Sequence, residues 1–182
     1  MNPIPLIEKY YPPGSLAHRI LLRHSGRVAA KAVKAARHAA QREVVDVEFV
    51  REAALLHDIG IFYTDAPDLG CHGALPYLAH GYKGRELLEK EGYPRHALVC
   101  ERHIGVGLSA DEIREKGLPL PIRDMLPLSV EEQIVTYADL FFSKNPREND
   151  RERTPEEVRE TLRRFGEDKP AVFDLWHERF GG

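Results

Sequence analysis

The stretch ALLHDIGIFY, residues 53–62, ends an apolar run in two ionisable side chains, His57 and Asp58, followed at once by Ile59 and Gly60. Two chemistries fit the pair. It can cap the end of a buried helix and bond to neighbouring groups, or it can supply two adjacent ligands to a metal ion. Residues three and four apart share a helix face, so the neighbours decide which polar side chains point inward. His24 shares its face with Ile20, Leu21 and Val28, and His57 shares its own with Ala53 and Ala54, with Phe49 two turns back. His103 lies with Val99 and Cys100, and Asp139 with Val135 and Phe142. A lone inward histidine is ordinarily a core residue bonded to backbone. Asp139 is harder to place, because a buried carboxylate needs a cation, strong hydrogen bonds or a metal. No Lys or Arg lies three or four residues from it, which disfavours a local ion pair. Asp58 can offer one oxygen to each of two ions, which a histidine cannot do. Imidazole with carboxylate is the donor set of Fe, Mn, Zn, Co or Ni rather than of Ca or Mg alone.

The elements that must position these residues read as helices. Ser15 opens a long stretch rich in Ala, Leu, Arg and Lys, and Asp46 is the expected N-cap of VEFVREAALLHDI, which Gly60 would end. YKGRELLEKEG stops at Gly92, and PRHALVCERHIG runs from Pro94 to Gly105. Ser109 with Glu112, Ser129 with Glu132 and Thr154 with Glu157 carry the capping-box spacing. Val172, Phe173, Trp176 and Phe180 form a docking stripe on a last helix. No convincing period-two segment occurs, so the chain reads as all-α, with residues 61–79 a long loop. The divisions expected are an extended, proline-bearing N-terminal arm at 1–14, a main domain at 15–145, and C-terminal helices at 146–182 packed on the same domain.

Composition narrows the classes. The chain has 182 residues, 42% hydrophobic and 30% charged, with net charge −3. That is globular, and it argues against a long nucleic acid as first choice of partner. Two cysteines without CxxC spacing, and the lack of a signal-peptide pattern, point to a cytoplasmic home. No apolar run reaches the roughly 18 residues of a membrane span.

In order along the chain, His24, the HD pair at 57–58 and Asp139 in YADLFF match the pattern H…HD…D. The chain thereby resembles the HD superfamily of metal-dependent phosphohydrolases, with HDIG the form common in bacterial members. His80 in LAHGYKGRELL and His103 in CERHIGVGL extend the match to the six-ligand variant, H…HD…H…H…D. The stretch ALVCERHIGVGLSADEIREKGLPLP, with IRDMLPLSVEEQIVTYADLFFSK after it, resembles a small-protein branch of unassigned substrate. The resemblance covers about residues 15–145.

It implies an HD-domain helical bundle with a C-terminal helical extension. It also implies two divalent transition metal ions, one on His24, His57, Asp58 and Asp139, the other sharing Asp58 and adding His80 and His103. The implied activity is hydrolysis of a nucleotide or other small phosphorylated metabolite by a metal-bridging hydroxide. Two alternatives within reach are a diiron oxygenase of the same superfamily and a non-catalytic nucleotide-sensing module. Many relatives carry a lysine directly after HDIG, where this chain has Ile61. The substrate-facing cation is then sought at Lys83, Arg102 or Lys144, with Tyr82, Arg85 and Tyr137 as weaker candidates. His72 could reach the site from its loop, and residues 118–128 are placed as a lid or wall. Arg27, Lys31, Lys34 and His38 form a basic row along the first long helix, read as a solvated face or as a guide for anionic substrate.

Overall fold

The structure is a computed structural model and describes residues 1–144 and 151–181; the expected boundary at 145/146 lies outside them. Among the described residues, nine α-helices run α1 (Ile4–Tyr10), α2 (Leu16–Ala39), α3 (Val47–Leu56), α4 (His80–Lys90), α5 (Pro94–Arg102), α6 (Ala110–Glu115), α7 (Val130–Asp139), α8 (Pro155–Arg163) and α9 (Lys169–Phe180). Between α3 and α4 lie a 3₁₀ turn, Ile59–Tyr63, and a small antiparallel pair, β1 (Asp65–Ala66) with β2 (Cys71–His72).

The caps fall where the side chains required them. Ser15 accepts from the His18 amide and Asp46 from the Phe49 amide. Thr154 and Glu157 close a full capping box. At the other two starts the serine caps, but the glutamate turns elsewhere: Glu112 pairs with Lys116 and Lys169, and Glu132 with Arg102.

α2 presents Ala29, Ala32, Ala35, Ala36 and Ala39 to Ala53 and Ala54 of α3 and Ala138 of α7. Side chains this small let the three backbones approach closely, and that is how inward residues of all three reach one point. α9 docks Phe173, Trp176 and Phe180 on the same core, and the Tyr137 and Phe173 rings stack at 5.8 Å. The Tyr137 hydroxyl meets His177 Nδ1 at 2.9 Å. Tyr137 is therefore a core residue, not a substrate contact.

Residues 1–14 depart from the expected extended arm, because Ile4–Tyr10 is helical. Pro3 is the N-cap and Pro5 sits in the first turn, where a missing N–H costs nothing and a fixed φ suits the helix, while Pro12 and Pro13 follow its end. Leu6 and Ile7 then bury against Leu56, Ile59 and Leu88. Tyr11 follows, its hydroxyl donating to Ile59 O at 2.8 Å and accepting from the Phe62 amide at 2.6 Å. The arm thus braces the turn that follows His57 and Asp58.

Gly60 does not end α3; the helix stops at Leu56 and Gly60 lies in the 3₁₀ turn. Its need is steric. A Cβ there would collide with the His80 carbonyl oxygen and the Gly84 backbone, and one on Gly84 would run into Cys100 Sγ. The turn and α4 are in backbone-to-backbone contact at these glycines, and α5 meets α4 there through the Cys100 side chain. Cys100 Sγ also donates to His57 O at 2.8 Å.

Candidate metal centre

His24 comes from the middle of α2, His57 and Asp58 from the end of α3, His80 from the first residue of α4, His103 from the end of α5 and Asp139 from the end of α7. His57 and Asp58 are fully buried, and His24, His80 and His103 nearly so. Asp58 divides its two oxygens. Oδ2 lies 3.3 Å from His24 Nε2 and 3.2 Å from His57 Nε2. Oδ1 lies 3.5 Å from His80 Nε2 and 3.4 Å from His103 Nε2. Asp139 Oδ1 completes the first group, 2.9 Å from His24 Nε2 and 3.4 Å from His57 Nε2. In the second group the His80 and His103 Nε2 atoms stand 3.1 Å apart.

Three of the histidines have their other nitrogen tied to backbone three residues earlier: His57 Nδ1 to Ala54 O, His80 Nδ1 to Tyr77 O and His103 Nδ1 to Cys100 O, each at 2.7 Å. Nδ1 held as a donor leaves Nε2 facing inward as the ligating atom, whose lone pair a metal ligand needs once any Nε2 proton is displaced. Both Asp58 oxygens and Asp139 Oδ1 are buried and accept no directed hydrogen bond, close as the ring nitrogens are. Lys144 Nζ approaches Asp58 Oδ2 at 2.9 Å, but Asp58 Oδ1 and Asp139 Oδ1 have no such neighbour among the described residues and call for a cation. The donor atoms of His24, His57 and Asp139 lie within 4.8 Å of one another, as do those of His57, Asp58 and His103. The residues therefore fit divalent metal.

The two groups differ in charge. Burial works against a charged His57, but the Asp58 and Asp139 carboxylates override it and raise its pKa to about 10. Burial pushes His80 down to about 3; Asp58 opposes this, while His103 and Lys144 reinforce it. The His24–His57 side faces two carboxylates, whereas the His80–His103 side faces one carboxylate oxygen, and His80 stays neutral.

Of the three cations sought for the substrate, the structure brings one to the centre. Lys144 Nζ is 2.9 Å from Asp58 Oδ2. Burial disfavours its charge, and Asp139 and Asp58 more than restore it. Lys83 is held by Glu86 at 2.6 Å, on a groove shared with Tyr10, Phe62 and His72. Arg102 lies one residue before His103, so it projects about 100° away, and it grips Glu132 at 2.9 Å. Arg85 is engaged by Glu89 and Glu101. Tyr82 packs beside Ile113, Leu120 and Met125, and His72 is exposed in the β-pair.

The proline-rich stretch 118–128 is pinned at its middle by Arg123 to the buried Glu101, and at its end by the Leu128 amide to Glu132 at 2.9 Å. The mouth beside Lys144 is instead lined by Tyr77, Phe142, Ser143 and Arg153, with Asp65 and Asp68 on the facing wall. Sequence reasoning did not place Tyr77, Ser143 or Arg153 there. Only the proximity of Tyr77 and Ser143 in sequence to His80 and Lys144 hinted at it.

A helical bundle that turns six histidine and aspartate side chains, five of them buried, toward one point defines a metal-binding helical domain. The chain belongs to the HD domain family, whose model matches residues 21–142. It is 38% identical over 130 residues to an uncharacterized protein of Methanocaldococcus jannaschii, covering 70% of this chain and 66% of that one. It is also 35% identical over 99 residues to the tRNA (cytidine(56)-2'-O)-methyltransferase of Picrophilus torridus, covering 54% of this chain and 25% of the enzyme. This chain therefore spans about two thirds of the first relative's length and about a quarter of the second's. Among solved structures, the HD domain of the L. monocytogenes phosphodiesterase PgpH, in complex with cyclic-di-AMP, superposes with a TM-score of 0.57 at 16% identity. That match covers 99% of this chain and 96% of the other, and shows the shared fold. No helix among the described residues is long and apolar enough to cross a membrane.

Proposed function

We propose that this chain is a metal-dependent phosphohydrolase with a dinuclear centre, acting on a phosphate ester or anhydride of nucleotide type. The observation that carries the reading is the division of Asp58, one oxygen toward His24, His57 and Asp139 and the other toward His80 and His103. Two divalent transition ions held there would acidify a water and neutralise charge on phosphoryl oxygens. The chain's own residues do the rest. The backbone carbonyls of Ala54, Tyr77 and Cys100 hold three imidazoles in the ligating tautomer. Lys144, at the mouth, is the cation that meets a substrate phosphate oxygen, in the role that Ile61 leaves vacant. The buried walls around His57 and Asp58 exclude bulk water and strengthen each of these interactions.

The substrate class draws support from two kinds of similar protein. The PgpH HD domain is described in complex with cyclic-di-AMP, a nucleotide. The tRNA methyltransferases of P. torridus and Thermoplasma volcanium share a segment of about 100 residues with this chain. That second observation favours an RNA phosphate ester as an alternative to a free nucleotide.

The test is elemental analysis of protein purified without added metal, joined to turnover of bis(p-nitrophenyl) phosphate and nucleotides. Two equivalents of transition metal and turnover are expected, and Asp58→Ala should lose both. Full turnover in that variant would overturn the mechanism. O₂ uptake with an iron-loaded protein and no hydrolysis would move the reading to the oxygenase.

A further inference from the structure

α2 carries six cationic side chains, Arg19, Arg23, Arg27, Lys31, Lys34 and Arg37, and not one Asp or Glu, in a chain whose net charge is −3. At 100° per residue they fall within a sector of about 120°, and from Arg19 to Arg37 they extend about 27 Å. His24 lies only about 20° beyond the Lys31 edge of this sector, where the buried face of the same helix begins.

This row joins the mouth of the centre. Arg27, Lys31 and Lys34 line a groove of about 310 Å³ with Phe142 and Glu152. Phe142 also lines the neighbouring groove of about 610 Å³ that holds Ser143, Lys144 and Arg153. Arg27 lies over the Phe142 ring at 5.6 Å, and Lys31 lies over Phe141 at 3.7 Å while pairing with Glu152 at 2.6 Å. Asp65 and Asp68 stand on the other wall of the mouth, so an anionic ligand leaving the centre is turned toward α2.

We infer that α2 and Phe142 form a track for a single-stranded polynucleotide, one of whose phosphates reaches the metal centre. The inference rests on the hydrolase reading above and names its substrate as a chain of phosphodiesters rather than a mononucleotide. A mononucleotide phosphate held at the mouth by Lys144 would not reach along α2 to Lys34 and Arg37, whereas a polynucleotide would. A regular row of cations suits a regular row of phosphates. The partly exposed Phe142 ring offers a base a stacking surface between the two grooves.

The test is fluorescence anisotropy of the whole chain with a labelled 12-nucleotide oligo(U) RNA, read before any cleavage, with UMP as competitor. A DNA strand of matching length distinguishes RNA from any single strand. Binding is expected to weaken with salt, with a slope in log K of about −2 to −3, since single strands give about −0.7 per phosphate. The pair Arg27→Gln and Lys34→Gln should weaken binding at least tenfold and reduce the slope by about 1.4. Lys34→Gln alone, on an exposed side chain, should weaken it about threefold and serves if the pair misfolds.

Lys90→Gln with Arg164→Gln removes the same charge elsewhere and should leave binding intact. An equal loss in that control would overturn the track. So would absent oligonucleotide binding, displacement by equimolar UMP, or equal affinity for phosphatidylglycerol vesicles or poly-glutamate. Turnover of bis(p-nitrophenyl) phosphate is measured beside the binding. No RNA binding with turnover retained refutes the track alone; no turnover refutes the hydrolase reading.

Discussion

At the scale of single residues, Lys144 and Asp58 carry the most consequence. Lys144 stands 2.9 Å from Asp58 Oδ2, close enough to steer a substrate oxygen yet unable to ligate metal while protonated. Lys144→Ala should raise KM or lower turnover by roughly 10–100-fold, the range of one strong charge-assisted contact in a water-poor site. Metal content should stay at the wild-type value, and elemental analysis beside steady-state kinetics checks both. Loss of metal in this variant would make Lys144 structural.

His96 offers a separate test of stability. It is buried between α3 and α5 with Glu52 at 3.2 Å, and burial lowers its pKa despite that partner. The unfolded chain takes up a proton near pH 6.5, and the folded chain resists it. The stabilisation held by neutral His96 is therefore complete above about 6.5 and is lost as pH falls below that value. Thermal melts from pH 5 to 7.5 should show a steeper acid-side decline in the wild type than in His96→Gln.

At the scale of elements, the close meeting of the Ile59–Tyr63 turn with α4 and α5 sets the spacing of the ligands. Gly60→Ala forces a Cβ onto the His80 carbonyl and the Gly84 backbone. Overpacking of this kind costs about 1–3 kcal/mol, and here it also pushes His80 outward. A lower Tm together with loss of metal from the His80–His103 side is the expected outcome. An unchanged metal content would show that α4 can yield without moving His80.

This is also where the sequence was most and least legible. The caps at Ser15, Asp46 and Thr154 were readable because one side-chain oxygen decides each. The inward faces of His24, His57, His103 and Asp139 followed from periodicity. His80 was not legible that way, since it opens its helix and has no preceding turn to define a face; only the motif order supplied it. The N-terminal helix was missed because four prolines in residues 1–14 outweighed a short apolar face whose partners lie some 50 and 80 residues away. Lys83 and Arg102 were close in sequence to ligands and yet point elsewhere, because proximity along a helix does not fix direction around it.

At the scale of the whole molecule, α8 and α9 are not an appendage. Phe173 is fully buried against Tyr137, whose helix ends in Asp139, and against Phe141 just past that end. Phe173→Ala should cost about 3–5 kcal/mol, and the chain should still melt in one transition with metal and tertiary signals lost together. A separate early transition for the C-terminal helices would show that they form their own unit. The net charge of −3 read from the sequence also conceals an uneven distribution. α2 gathers six cations while the remainder of the chain carries the excess acid, and a sum over residues cannot show such a division.

The contact of Gly60 with Gly84 has a further bearing on which ion is accepted. The donors of α3 and α4 are referred to one another through main chain, with no side chain between them to flex. A cluster mounted in that way has a nearly constant bore. An ion of larger radius could enter only by prising the turn from α4, which the Tyr11 hydroxyl resists by bridging Ile59 and Phe62 from the other side. Discrimination against calcium would then arise from the stiffness of the mount as much as from the softness of imidazole.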